Sequence, residues 1–167
     1  MDPEQAERRR QWPSSTIVIQ TLDGGKTWTP AVTSMFGRIS RLRLRGSHGL
    51  TLVEFQDAYE YPSEVFHILT KENKTERTFR EKERAVTDVA LAGGGGFLAG
   101  VQTTGKLRQS PIPGRLFVET SKDFVKWLPM EVDYRAFARR AMLAAADDRN
   151  IWVATDTGMI LKLTGMP

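Results

Sequence analysis

The sequence predicts an all-β fold built from repeated four-stranded antiparallel units. Three observations lead to this prediction. An Asp-Gly turn lies between two strand-like segments, a related turn occurs about 100 residues later, and strand candidates recur in step along the chain. Many short strands with regular turn signals are typical of an all-β radial repeat.

The first turn spans residues 21–28, with the sequence Thr-Leu-Asp-Gly-Gly-Lys-Thr-Trp. An Asp carboxylate can accept bonds from nearby backbone N–H groups, and Gly takes positive φ without steric cost. The preceding residues 17–19 are β-branched, as strands prefer, and Trp28 can cover the turn from the returning strand. The stretch fits the pattern [ST]-x-D-x-G-x-[TS]-W. An ordinary Asp-Gly hairpin is the less favoured alternative.

A second turn of this kind spans residues 120–127. It keeps Ser121, Asp123 and Trp127 but has lost the glycine and one residue of spacing. Residues 70–79 are interpreted as a longer, degraded version that ends at Phe79. Trp28, Phe79 and Trp127 then follow one another at nearly equal separations, each close to the length of one four-stranded unit.

With these motifs the chain resembles the Asp-box (BNR) repeat proteins, which include sialidases, sortilin-type receptors and photosystem II assembly-factor-like propellers. The resemblance implies a β-propeller of four-stranded antiparallel blades. It also implies that the structural Asp-box residues are Thr21, Asp23, Gly25, Thr27, Trp28, Ser121, Asp123 and Trp127. The second turn is similar to the S-x-D-[LF]-x-x-W turn of five-bladed glycosidases. Residues 151–160 resemble a strand-loop-strand unit of the assembly-factor-like propellers.

The strand candidates fall into three repeating sets. The innermost strands are predicted at residues 40–45, 86–91 and 140–145. The second strands are predicted at residues 50–55, 96–101 and 150–154, and the third strands at residues 65–70, 115–120 and 159–163. With the two outer strands around the first turn, these make about three blades' worth of strands.

A ring of that size is incomplete, since a propeller usually has at least four blades. Two interpretations stay open. The favoured one is that the chain is part of a longer protein. The other is a homodimer whose two copies complete one ring, because uncovered sheet edges favour pairing with another chain.

Composition limits the classes of function. The 167 residues suffice for one domain, and we expect residues 1–14 to be a disordered charged tail before a partial propeller domain at residues 15–167. With no cysteine, disulfides, thiolate catalysis and Cys-ligated zinc are excluded. Neither a signal peptide nor an apolar run of membrane-helix length is recognised. The compartment stays open, because related bacterial propellers are often exported.

The sequence contains few motifs that point to a specific ligand or reaction. The net charge of +4 comes without a nucleic-acid-binding motif, so we expect no nucleic-acid partner. We expect no metal or cofactor, and we expect His48 and His67 to occupy surface or hydrogen-bonded positions. A sialidase needs an arginine triad and a Tyr–Glu nucleophile pair. Neither is recognised, and residues 36–40 only faintly resemble that family's [FY]-R-I-P motif.

Residues 41–45 alternate Arg-Leu-Arg-Leu-Arg. On a strand this alternation puts the arginines on one face and the leucines on the other. The favoured interpretation is an exposed or edge strand whose charges discourage aggregation. The alternative is a basic strip that docks an acidic protein surface.

The resemblance also implies where a binding site lies. In the resembling families the Asp-box hairpin faces away from the ligand site, and the opposite loops bind. Those loops are expected at residues 32–39, 57–64, 102–114, 132–139 and 156–158. The candidate binding residues on them are Arg38, Tyr59, Tyr61, Arg108, Tyr134 and Arg135. The expected function is a non-enzymatic module that binds a protein, a glycan or another macromolecule. The alternative is a fragment or remnant of a sialidase-like or other propeller glycoside hydrolase.

Overall fold

The computed structural model describes residues 18–31, 38–55, 61–102, 114–133 and 135–163. These residues form an all-β structure of antiparallel strands without a helix. This confirms the prediction of an all-β fold class. The predicted charged tail lies outside the described residues.

Within each sheet, strands that are consecutive in sequence are hydrogen-bonded neighbours and run antiparallel, with one exception, a short strand at residues 137–138. A hairpin joins β1 (Val18–Gln20) and β2 (Thr29–Ala31). The first sheet consists of β3 (Arg38–Arg45), β4 (His48–Glu54), β5 (Ser63–Leu69) and β6 (Lys74–Arg80). The middle sheet consists of β7 (Arg84–Ala92), β8 (Gly95–Gln102), β9 (Gly114–Ser121) and β10 (Leu128–Met130), and the short β11 (Phe137–Ala138) also pairs with β9. The third sheet consists of β12 (Ala141–Ala145), β13 (Ile151–Thr155) and β14 (Ile160–Leu163).

The predicted strands coincide closely with the observed ones. The three predicted innermost strands correspond to β3, β7 and β12, each of which pairs with a single strand on one side only. The degraded turn predicted at residues 70–79 differs from the structure. The turn is short, with Asn73 at φ 51°, and Phe79 lies within β6 opposite Val65. The β-branched threonines after Asn73 extend the strand instead.

The first turn is held by one carboxylate. Asp23 Oδ1 accepts bonds from the backbone N–H groups of Lys26 at 3.0 Å and Thr27 at 2.9 Å, while Thr27 Oγ1 donates to Oδ2 at 2.6 Å. These bonds lower the pKa of Asp23 to about 2. Gly24 and Gly25 take φ of 72° and 92°. The roles predicted for Asp and Gly in this turn are confirmed.

The second turn uses the same arrangement without glycine. Asp123 Oδ1 accepts the backbone N–H groups of Val125 and Lys126, each at 2.9 Å, and Phe124 takes φ 59° in place of a glycine. The Trp127 indole N–H donates to the Thr78 carbonyl at 3.1 Å, which joins this turn to the first sheet. Trp28, in contrast, bonds within its own turn and stays 57% exposed.

Two apolar cores lie on opposite faces of the middle sheet. One core joins Val89 and Leu98 to Leu50 and Leu52 of the first sheet. The other joins Phe97 to the third sheet, where it packs with a cluster that includes Leu143, Ile151 and Val153. The sheets therefore stack in chain order, with the middle sheet between the other two.

Polar contacts join the three innermost strands. Asp88 of β7 is 3% exposed and accepts the Leu143 N–H of β12 at 2.9 Å. Its other oxygen lies 3.2 Å from Arg41 Nε and 3.5 Å from an Arg43 guanidinium nitrogen on β3. The neighbouring Thr87 exchanges two hydrogen bonds with the backbone of Ala141. One buried carboxylate thus links all three sheets.

These contacts bear on both interpretations of the alternating strip. β3 is an exposed edge strand, as the favoured interpretation expects, but its arginines bind within the chain. Arg41 and Arg43 bind Asp88, and Arg45 donates to the Leu91 carbonyl at 3.2 Å. The arginines therefore share one face, as predicted, but that face is directed to the middle sheet of the same chain. Leu42 and Leu44 on the other face are exposed.

Candidate functional site

The connections between strands separate into two ends. The tight turns after β1, β3, β5, β7, β9 and β12 lie at one end, which we call the turn end. The connections after β4, β6 and β13 lie at the opposite end, which we call the loop end. This follows because antiparallel neighbours return alternately to the two ends of a sheet. The described parts of the predicted binding loops, among them residues 61–64 and 156–158, lie at the loop end. Residues 32–37, 57–60, 103–113 and 134 of those loops lie outside the described residues.

Tyr61 is the best-defined predicted site residue at the loop end. It lies just before β5, and the Arg80 guanidinium at the end of β6 lies 3.6 Å from its ring centroid. Lys82 Nζ lies on the same ring at 5.9 Å. Arg80 is held by Glu64, whose carboxylate lies 3.0 Å from Arg80 Nε. The result is an aromatic ring contacted by two cations, a cation–π arrangement.

Arg38 belongs to a second group at this end. It begins β3 and is exposed, and it lies opposite Glu54 in the strand register. Glu54 in turn binds Arg140 of the segment before β12 at 3.0 Å. Asp156 accepts the backbone N–H groups of Arg139 and Arg140, which fixes the start of the third sheet. The loop ends of the first and third sheets therefore meet at Glu54.

Arg135 is exposed and forms a bidentate pair with Asp133, at 2.7 Å and 3.0 Å. This pair lowers the pKa of Asp133 to about 2. The other predicted site residues, Tyr59, Arg108 and Tyr134, lie outside the described residues. The structure therefore places Arg38 and Tyr61 at the same end of the first sheet, and it describes Arg135 on a separate segment.

A buried carboxylate missed by the sequence argument lies between β7 and β9 of the middle sheet. Glu119 of β9 is 3% exposed, and Arg84 binds it from β7 while also contacting Glu81 at 3.3 Å. Burial raises the pKa of Glu119, and the charge of Arg84 opposes that rise. The pair ties the first residue of β7 to β9. No sequence signal marked it, because Glu119 lies within an otherwise ordinary strand.

A cavity of about 560 Å³ opens at the turn end. His48 Nδ1 and His67 Nε2 lie 2.9 Å apart on its wall, within hydrogen-bond distance. The Phe124 ring stacks on His67 with centroids 4.1 Å apart. His67 is therefore hydrogen-bonded, as predicted, although its partner is the other histidine. Sequence reasoning could not pair them, because they lie on different strands.

We expect His67 to titrate below the usual histidine range. Burial, followed by the charge of His48, lowers its pKa, while Glu76 and Glu72 oppose the shift. The unfolded chain, with a histidine pKa of about 6.5, then binds the proton more readily. Stability from this group is present above that pH and is lost as pH falls through the folded-state pKa.

NMR titration of the two imidazole resonances measures this directly. The His48→Gln variant removes the neighbouring charge and is expected to raise the pKa of His67 toward its ordinary value. A His67 that titrates at or above about 6.5 in the unmodified chain contradicts the prediction.

Among the described residues, no group of three or more His, Asp or Glu side chains could hold a metal ion. Within the same residues there is no helix long and apolar enough to span a membrane.

Comparison with known proteins adds no assignment. No protein-family model matches the chain, and no curated protein matches it either. The resemblance to Asp-box proteins therefore rests on the motifs themselves and stays a prediction.

Proposed function

We propose that this chain is a β-propeller module that binds a protein partner through its loop end. The propeller interpretation is supported by the order of the sheets and by their innermost strands. Strands β3, β7 and β12 run beside one another, joined by Asp88 and Thr87, as expected for strands around a common axis. The two Asp-centred turns support the relationship to Asp-box repeats.

The observation that carries the binding proposal is the Tyr61 ring held by Arg80 and Lys82. Tyrosine and arginine are enriched among the residues that contribute most to protein interfaces, because they combine apolar area with directed hydrogen bonds. Arg80 pairs with Glu64, and Glu54 lies on the neighbouring strand β4, so this end of the first sheet carries charges of both signs. Interface rims are polar in the same way. We therefore expect a protein surface of mixed charge as the partner.

The test is site-specific photo-crosslinking followed by measured affinity. A photoreactive phenylalanine analogue replaces Tyr61, and a matched probe replaces the exposed Val125 at the turn end. Crosslinked partners are identified by mass spectrometry, purified, and titrated with the unmodified chain and with the Tyr61→Ala and Val125→Ala variants. We expect Tyr61→Ala to weaken binding by about tenfold or more, as for a central interface residue, and Val125→Ala to change it little.

Equal affinities of the two variants, or crosslinking from the turn-end probe only, would contradict the proposed site. The competing function is a remnant of a glycan-active enzyme, supported by the glycosidase-like turn at residues 121–127. Turnover of sialoside or arabinoside chromogenic substrates, abolished by changing Tyr59 or Glu60, would favour that alternative.

A further inference from the structure

Because the sheets stack in chain order, the two faces of a sheet can be told apart by which neighbouring sheet they face. We call the face toward the preceding sheet the leading face and the face toward the following sheet the trailing face. In the middle sheet the leading face carries Val86, Val89 and Leu91, and the trailing face carries Ala90, Phe97 and Ala99. Both are buried, the leading face against the first sheet and the trailing face against the third.

A shared irregularity aligns the innermost strands of the first two sheets. The register of β3 shifts between Ile39 and Arg41, and that of β7 shifts between Val86 and Asp88. This superposes Leu42 on Val89 and Leu44 on Leu91. In the middle sheet Val89 is 0% exposed and Leu91 is 9% exposed. At the superposed positions of the first sheet, Leu42 is 49% exposed and Leu44 is 59% exposed. The leading face of the first sheet is therefore open at Leu42 and Leu44, whereas Val53 and Phe66 farther along the same face are buried in a small cluster of their own.

The trailing face of the third sheet is open as well. Met142 lies opposite Ala154, which lies opposite Ile160, so the three share one face. Met142 is 53% exposed and Ile160 is 76% exposed. The corresponding trailing faces of the first and middle sheets are buried by Leu50, Leu52 and Phe97 packing against the next sheet.

We propose that a second copy of this chain covers these faces, with the trailing face of one copy on the leading face of the other. A second copy is the expected partner because it would continue the sheet-on-sheet contacts that already exist within the chain. Within the chain, a trailing face packs on a leading face twice, and the two open faces are one of each kind. Two copies related by a twofold axis would close both contacts at once. Covering the exposed leucines, Met142 and Ile160 removes hydrocarbon surface from water. The third sheet's open face also carries Lys162, which lies over the Trp152 ring. This proposal does not depend on what the loop end binds.

Light scattering after size-exclusion chromatography tests the proposal on the full chain. We expect the mass of two copies at about 100 μM, and we expect Leu44→Glu and Met142→Lys each to give a monomer. An equimolar mixture of the two variants is the decisive measurement. It contains one unmodified contact and one that pairs Glu with Lys, so the two-copy mass should return. The control Val125→Glu, on an exposed turn, should stay a dimer.

Circular dichroism and urea unfolding establish that each variant is folded before its molar mass is measured by light scattering. A monomeric unmodified chain overturns the proposal, and so does a mass of three or more copies. If the variants stay dimeric, or if their mixture stays monomeric, the two copies do not meet through these faces and the proposal fails.

Discussion

Replacing Asp88 with alanine is expected to lower the free energy of unfolding by about 3 kcal/mol. The carboxylate is almost fully buried and accepts the N–H groups of Leu143 and Val89, each at 2.9 Å. Without it the buried Leu143 N–H loses its acceptor, which alone costs about 1–3 kcal/mol. Arg41 and Arg43 lose their anion in the same step. Because they are partly exposed, water compensates some of that loss.

Urea unfolding followed by tryptophan fluorescence measures the change. Asp148→Ala is the matched control, since Asp148 is exposed on the turn after β12, and we expect its effect to stay within about 0.5 kcal/mol. Asp88→Asn keeps an acceptor oxygen and should fall between the two. An unfolding midpoint of Asp88→Ala equal to that of the control would contradict the role given to this carboxylate.

Replacing Phe97 with alanine is expected to lower the free energy of unfolding by about 3–5 kcal/mol. Phe97 lies on β8, is 1% exposed, and belongs to the apolar cluster shared by the middle and third sheets. Its removal takes away buried hydrocarbon and leaves a cavity that rigid β-strands can only partly close. Five residues of the three-stranded third sheet belong to the same cluster: Ala141, Leu143, Ile151, Val153 and Leu163.

The same urea experiment measures this loss. Phe137→Ala is the control, because Phe137 lies on β11 and is 47% exposed, so less than about 1 kcal/mol is expected. Hydrogen exchange adds a spatial readout: protection should fall most on β12 and β13. Similar losses for the two phenylalanines would contradict the assignment of Phe97 to the core.

Local patterns predicted most of the secondary structure. The alternation in residues 41–45 and the Asp-centred turns are short-range signals, so each could be recognised without knowledge of the fold. The interpretation of residues 70–79 failed for a related reason. A degraded motif was extended to reach Phe79, whereas Asn73 already supplied the positive φ that a short turn needs.

The contacts of the candidate site were harder to predict from the sequence than the strands were. Tyr61 could be assigned to a loop from the sequence, but its contact with Arg80 depends on β5 and β6 being neighbours. The same limit applies to the pairs His48–His67 and Arg84–Glu119, whose members come from different strands. Whether the loop-end residues form a binding site stays a prediction.

The sequence by itself determined an all-β chain, the places where its strands begin and turn, and which residues share a strand face. These are consequences of backbone preference and of the two-residue period of a strand. The tertiary structure decided what each face meets. It turned Arg41 and Arg43 toward the buried Asp88 and Arg45 toward the Leu91 carbonyl. It left four apolar side chains uncovered, those of Leu42, Leu44, Met142 and Ile160. Burial depends on the packing of whole sheets, and no local pattern specifies that packing.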